Sequence, residues 1–280
     1  MANKAKPAAT KPDFASFAGL LIAVGGILLG QRLEGGVPNQ IVRGSAALIV
    51  LGGTIGAVLL SMPLRTLIAA AGRVKDIFFE PVLDAAAMIE EIIGYATKAR
   101  KSGIVSLEVE AAEIADPFLR KALTLAVDGT DLQEIRKMME LEINVAEQRI
   151  DAAAKVYESA GGYSPTIGII GAVIGLIMVM GNLDNIEKVG EGIASAFVAT
   201  IYGVGFANIL CLPAATKIKA RAHERTELDE LILEGVVGIV EGLNPKLIRA
   251  KLEAYSTPKV VKAEAVVPEA EQSDAAPSKG

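Results

Sequence analysis

The sequence predicts an all-α membrane protein with four transmembrane helices and a helical cytoplasmic domain. Three observations support this prediction. The mean hydropathy is +0.42 and 51% of the 280 residues are hydrophobic, although 22% are charged. The charges are clustered, so that four stretches of about 20 residues contain none. The segment between the second and third of these stretches is polar and carries helix start and stop signals.

Each uncharged stretch is long enough to cross a bilayer, which takes about 17–25 helical residues. Such a stretch is expected to be a helix, because an unpaired peptide group in hydrocarbon costs several kcal/mol. The first stretch also resembles a signal peptide, but it has no clear cleavage site and three more follow, so an uncleaved anchor is favoured. The four predicted spans are residues 14–30, 44–64, 162–183 and 192–215.

Lysine and arginine are concentrated before the first span, after the second and after the fourth, whereas the two short loops between paired spans hold few. This distribution predicts that both termini and the segment between spans two and three are cytoplasmic. The basic residues concerned are Lys4, Lys6, Lys11, Arg65, Arg73, Lys75, Lys217, Lys219, Arg221 and Arg225.

The predicted organisation has six parts, and the last of them is rich in Ala, Glu, Pro and Ser and is therefore predicted to be disordered. The parts are a cytoplasmic N-terminus at 1–13, two spans at 14–64, a cytoplasmic helical domain at 65–160, two spans at 161–215, a cytoplasmic helical segment at 216–255 and the tail at 256–280.

Two helix boundaries are predicted within the cytoplasmic domain. Asp116 followed by Pro117 is typical of a helix N-cap, and Gly129 predicts the end of that helix. Thr130 and Gln133 form a capping-box pattern, which predicts that a second helix starts there.

The second of these helices is predicted to be long, because apolar residues recur every three or four positions from 135 to 157. It either continues into the third span as one rod or bends at residues 161–162. Residues 66–101 are also predicted to be helical, with a break near Pro81.

None of the four spans contains an Asp, Glu, Lys, Arg or His side chain. A proton relay or ion pump usually has such a group at membrane depth. Two interpretations follow: a partner protein donates the titrating carboxylate, or the chain conducts nothing and is a membrane scaffold.

Other function classes are disfavoured. The net charge of −5 gives no electrostatic basis for binding nucleic acid. Cys211 and His223 are the only cysteine and histidine, so neither a disulfide framework nor a zinc site is expected. No nucleophile–base set, metal-ligand spacing or phosphate loop is evident, so we expect no enzyme activity and no cofactor.

Small and polar residues are frequent within the spans. In span four the hydroxyl of Thr200 either bonds a carbonyl of the preceding turn or lines a hydrated path. Three pairs of glycines spaced four apart would let helices approach closely. These pairs are Gly26/Gly30, Gly52/Gly56 and Gly171/Gly175.

Two prolines lie near the predicted cytoplasmic ends of spans three and four. Inside a helix, Pro165 and Pro213 would free the carbonyls near Gly161 and Ile209 and permit a kink. Pro165 also suits the first turn of span three, where a proline causes no kink.

Four segments resemble the MotA/PomA family of flagellar stator subunits, and the agreement covers most of residues 14–255 in the family's order. The related ExbB/TolQ energisers have three spans, so the additional N-terminal pair favours the flagellar branch. The segments are LGGTIGAVLLSMPL (51–64), ARKSGIVSLE (99–108), GGYSPTIGIIGAVIGLI (161–177) and ATIYGVGFANILCLPAATKIKAR (199–221).

The resemblance implies roles for individual residues. Arg100 and Glu108 match the family's charged residues that contact the rotor, although by themselves they suit a solvated surface equally well. Pro165 and Pro213 match the two prolines that couple ion passage to torque.

Two further positions bear on the ion. Thr200 matches the span-four threonine beside the ion path, and Ala172 stands where sodium-driven members usually have threonine. Because a methyl group cannot coordinate a hard cation that wants oxygen ligands, the resemblance favours protons over sodium.

The resemblance also implies partners and a location. It implies five copies of the chain around two helices of a MotB-type one-span partner, each helix with a membrane aspartate, in the bacterial inner membrane. The torque would act on a FliG-type rotor ring. An ExbB/TolQ-like energiser of outer-membrane processes and a non-conducting scaffold remain alternatives.

Overall fold

The computed structural model describes residues 10–256, and the side chains of residues 10–254. The predicted tail at 256–280, apart from Ser256 at the end of α11, and the lysines Lys4 and Lys6 lie outside this part of the chain. The elements are β1 Thr10–Pro12, α1 Phe14–Leu33, α2 Gly44–Ser61, α3 Leu64–Gly72, α4 Lys75–Phe78, β2 Phe79–Pro81, α5 Ala85–Ser102, α6 Glu108–Glu113, α7 Pro117–Val127, α8 Leu132–Met180, α9 Ile186–Gly205, α10 Leu212–Val240 and α11 Pro245–Ser256. Short 3₁₀ turns at Pro38–Ile41 and Ile104–Leu107 and a π turn at Phe206–Cys211 complete the order.

The predicted all-α fold with four spans is confirmed. Four helices are long and apolar enough to cross a membrane: α1, α2, the last part of α8 and the first part of the helix that runs from Ile186 to Val240. One feature was not predicted, a two-stranded antiparallel ribbon in which Lys11 faces Glu80. The expected break near Pro81 is present, because β2 separates α4 from α5.

The longest described element is α8, whose 49 residues run from the folded domain outside the spans through the third span without a break. Of the two arrangements that the sequence left open, the structure therefore has the single rod. The predicted capping box at Thr130 is wrong. Asp131 is the N-cap, and its carboxylate accepts a hydrogen bond from the backbone N–H of Gln133 at 2.9 Å.

The domain outside the spans has one hydrophobic core, formed by α5, α6, α7, α8, α10 and α11. Its fully buried side chains include Ile92, Leu119, Met139, Ile232 and Leu252. Burying a side chain of this size contributes about 1.5–3 kcal/mol. This core holds the ends of α8 and α10 together, so the two long helices leave the domain side by side.

A partly buried ion network fixes α7 on α10. Asp116 caps α7, as predicted, by accepting from the N–H groups of Phe118 and Leu119, and it also binds Arg225 at 2.8 Å. Arg225 in turn binds Asp229 at 2.6 Å. Burial raises the pKa of Asp229 to about 6 despite this arginine.

Candidate functional site

The third and fourth spans meet along a stripe of small residues. A Cβ placed on Gly168 would lie 3.0 Å from the carbonyl oxygen of Ala199, and one on Gly203 would lie 2.6 Å from that of Ser164. A Cβ on Gly175 would lie 2.8 Å from the carbonyl oxygen of Gly192. The two helix backbones are thus nearly in contact over about three turns, a close approach that small residues permit. We call this stripe the glycine seam.

Only one of the three predicted glycine pairs makes such a contact within this chain. Gly175 of the pair Gly171/Gly175 packs against the backbone of α9, and a Cβ on Gly171 would meet the side chain of Ala199 at 2.7 Å. A Cβ on any glycine of the other two pairs would have nothing within 4 Å among the described residues. Those two pairs lie in α1 and α2.

The seam encloses a polar atom that the sequence did not single out. The side chain of Ser164 is fully buried, and its hydroxyl has no hydrogen-bond partner among the described residues. Its position one residue before Pro165 and four before Gly168 is the only sequence signal for it. Thr200 lies across the seam from Gly168, where a Cβ on that glycine would be 3.5 Å from the Thr200 Cα, and the Thr200 hydroxyl donates to the carbonyl of Ala196 at 3.3 Å. The preceding-turn bond that was one of the two interpretations of Thr200 is thus present.

The described parts of the four predicted spans hold no Asp, Glu, Lys, Arg or His, so side-chain hydroxyls, amides such as that of Asn208 and backbone carbonyls are the available polar groups. Ala172 is partly buried on α8, next to the seam residue Gly171. Its methyl group offers no oxygen ligand.

The two prolines differ in their surroundings. Pro165 lies in the interior of α8, 33 residues after its start, so the first-turn alternative is wrong. Pro213 is the second residue of α10, separated by one residue from the end of the π turn, so the regular hydrogen-bond ladder is already interrupted there. Such π turns are frequent at functional sites.

Tyr202 ties the fourth span to the loop before the second. Its hydroxyl donates to the carbonyl of Ile41 at 2.6 Å and accepts from the N–H of Arg43 at 3.2 Å. The start of the second span is thereby attached to the pair that forms the seam.

Arg100 and Glu108 lie on different helices. Arg100 is near the end of α5, and Glu108 is the first residue of α6. Between them Gly103 has φ of +82°, a conformation that suits glycine. Leu107 is fully buried, which turns Glu108 outward. Both charged side chains are exposed, and neither forms an ion pair with any other described residue.

Comparison with known proteins gives the family. The MotA/TolQ/ExbB proton channel family matches residues 110–231. The chain is 35% identical to motility protein A of Helicobacter pylori over 88% of this chain and 96% of that protein. It is 34% identical to motility protein A of Bacillus subtilis over 87% and 90% of the two chains.

The fold agrees with these sequence relatives. The C. jejuni MotAB structure matches with a TM-score of 0.83 and 32% identity, over 87% of this chain and 95% of that chain. The flagellar MotAB stator complex of Bacillus subtilis matches with a TM-score of 0.80 and 34% identity, over 87% and 96%. The chain therefore belongs to the MotA/TolQ/ExbB proton channel family, within its motility protein A branch of flagellar stator subunits.

Proposed function

We propose that five copies of this chain surround two helices of a MotB-type partner in the bacterial inner membrane and convert proton flow into torque on the rotor. One observation supports the proposal above all: the chain belongs to a proton channel family, yet its spans hold no Asp, Glu, Lys, Arg or His side chain. The acid that carries the proton must then come from the partner helix. The matching solved structures are MotAB complexes, which contain such a partner.

Neutralising the partner's buried carboxylate would remove a charge that costs about 2.5–3.5 kcal/mol in a membrane helix. Moving one elementary charge through 100 mV supplies about 2.3 kcal/mol. The two energies are comparable with the few kcal/mol that separate alternative conformers of a protein. Proton passage can therefore bias how the ring packs on the partner.

Pro165 and Pro213 are the proposed hinges. Both lie where a long helix leaves the membrane for the folded domain, in α8 and at the start of α10. The π turn before Pro213 lowers the cost of a local change in helix geometry, since its hydrogen bonds are already irregular.

Both termini are proposed to be cytoplasmic. The N-terminal strand β1 pairs with β2, which follows the basic residues after the second span. Asp13, at the start of α1, binds Arg221 of α10 at 2.6 Å. The entry to the first span thus lies beside the exit of the fourth, on the side rich in lysine and arginine.

The channel proposal makes a direct prediction for vesicles. Co-expression with the MotB-type partner lacking its periplasmic part is expected to give a proton leak, measured with an internal pH dye. The chain alone is expected to give none, because it supplies no acid at membrane depth. Changing the partner's membrane Asp to Asn is expected to abolish the leak. A leak from the chain alone would contradict the proposal.

Ion identity is tested in the same vesicles by replacing sodium with choline. We expect the leak and the swimming of motile cells to persist, because Ala172 offers no ligand for sodium. If motility stops when sodium is withdrawn at constant proton gradient, the coupling ion is sodium instead.

The two alternative functions predict different results. If the chain is a non-conducting scaffold, no leak is expected under any condition. If it is an outer-membrane energiser, swimming is expected to remain normal when the chain is deleted.

Reversing the charge of Glu108 is expected to reduce torque at least several-fold. The side chain is exposed and unpaired, so Glu108→Lys changes the surface presented to the rotor without breaking a contact within the described chain. The measurement is the rotation rate of tethered cells, with membrane amounts of the protein quantified in parallel.

Glu113→Lys is the matched control, since Glu113 is an exposed residue of the same short helix and carries the same charge. It is expected to leave rotation near normal. Equal rotation in both variants would remove Glu108 from the rotor contact.

A further inference from the structure

A cavity of about 860 Å³ separates α1 from the other membrane helices, at the end of the bundle next to the folded domain. Its walls come from the first half of α1, the last turns of α2, the middle of α8, the start of α10, α3, α4 and the π turn. The lining is almost entirely apolar, with Ser16, Thr54, Tyr157, Asn208 and Lys217 as its main polar members. This volume is within the range of about 300–1,000 Å³ that is typical of ligand pockets.

The cavity exists because α1 stands apart from the other spans. None of the 20 residues of α1 is buried within the described chain. It is held at its start, where Asp13 binds Arg221 and the ring of Phe17 lies 5.1 Å from that of Phe78. Water has few polar partners in such a space, whereas lipid chains are as apolar as its walls.

The polar end of the cavity is positively charged. Lys217 lines it and pairs with Asp13, which also binds Arg221, so one carboxylate faces two cations. Lys75 lies between the lining residues Val74 and Ile77 and has no ion-pair partner among the described residues. A basic group beside an apolar pocket at the cytoplasmic end of spans complements the phosphate of an anionic lipid.

We propose that this cavity binds an anionic phospholipid of the cytoplasmic leaflet, with an acyl chain against α1 and α2 and the phosphate at Lys217. The lipid joins α1 to the seam helices in place of direct helix contacts. Neither the ion-path residues Thr200 and Ala172 nor the rotor-contact residues Arg100 and Glu108 line the site, although its wall includes the proposed hinge Pro213.

Native mass spectrometry of the whole complex, extracted from its own membrane, tests the proposal. We expect anionic phospholipid to remain bound to the unsubstituted complex. Gly19→Phe is expected to reduce the retained lipid several-fold, because Gly19 lines the cavity and a Cβ there meets nothing within 4 Å. Gly25→Phe is the matched control: Gly25 has equally open space on the same helix but does not line the cavity. Equal retention in the two variants would overturn the proposal.

A second measurement needs no disruptive change. The chain has no tryptophan, so Leu20→Trp gives a reporter in the cavity wall and Leu21→Trp one on the exposed face. In detergent, a few equivalents of brominated phosphatidylglycerol are expected to quench the first reporter several-fold more than the second, and more than brominated phosphatidylcholine does. Fluorescence of the complex without the substitution is subtracted. Equal quenching at both positions, or by both lipids, contradicts the proposal. An absence of quenching also contradicts it and would indicate that a neighbouring copy of the chain fills the cavity.

Discussion

Replacing Gly203 with valine is expected to abolish assembly of the membrane part. A Cβ at this position would lie 2.6 Å from the carbonyl oxygen of Ser164 and 3.0 Å from the Cα of Gly168. Both of these atoms belong to the backbone and cannot move aside as a side chain can. The two helices would therefore have to separate along the whole seam. The cost is expected to exceed the roughly 1–3 kcal/mol that is usual when a core is overpacked.

The measurement is the amount of intact complex in detergent extracts, together with swimming. Gly205→Val is the control, because Gly205 lies two residues further along and a Cβ there would have nothing within 4 Å. It is expected to assemble normally. If Gly203→Val assembled and swam like the control, the close approach at the glycine seam would be refuted.

Removing Asp13 is expected to cost about 3–5 kcal/mol of stability, the range found when one partner of a buried ion pair is deleted. Asp13 and Arg221 are each 7% exposed. The Asp13→Ala change would leave the guanidinium of Arg221 with only the carbonyls of Asp76 and Phe79. Hydrogen bonds, above all from Lys217, hold the pKa of Asp13 well below its usual range, so the carboxylate is ionised at neutral pH.

The measurement is the thermal unfolding midpoint of the detergent-solubilised complex. Adding Arg221→Met to Asp13→Ala is expected to recover part of the loss, because the unpaired charge is then gone. Lys219→Met is the control: its pair with Glu158 is similar in length, 2.7 Å, but both side chains are more than 40% exposed. Exposed pairs contribute about 0–1 kcal/mol. A similar shift for Asp13→Ala and Lys219→Met would contradict the buried-pair interpretation.

The spans could be predicted from the sequence because bilayer thickness fixes the length of an uncharged helix. The cap at Asp116 was also predictable, since a cap acts within a few residues. At the next helix two adjacent residues, Thr130 and Asp131, could both cap, and only the backbone conformation selects Asp131. Because the two capping signals are equally strong, the predicted N-cap of α8 was wrong by one residue.

Contacts between distant parts of the chain were not predictable. Asp13 and Arg221 are 208 positions apart, and neither is marked by a periodic pattern. The three glycine pairs have identical spacing, yet only Gly171/Gly175 lies in a close helix contact within this chain. The spacing of glycines shows that another helix can pack closely against this one. Whether a helix does so depends on which helices are neighbours in the fold. The roles of Arg100 and Glu108 came from the resemblance alone, because solvent-exposed charges carry no local signal.

The unbroken course of α8 has a mechanical consequence. At 1.5 Å per residue, the part of the helix before Pro165 is about 50 Å long. A pivot of about 5° at the membrane surface would then sweep its far end by about 4 Å, the distance within which an exposed ion pair forms. The length of the helix therefore amplifies a small rotation in the membrane. A rearrangement too small to open the contact between spans three and four would still be large enough to form or break an ion pair with the rotor.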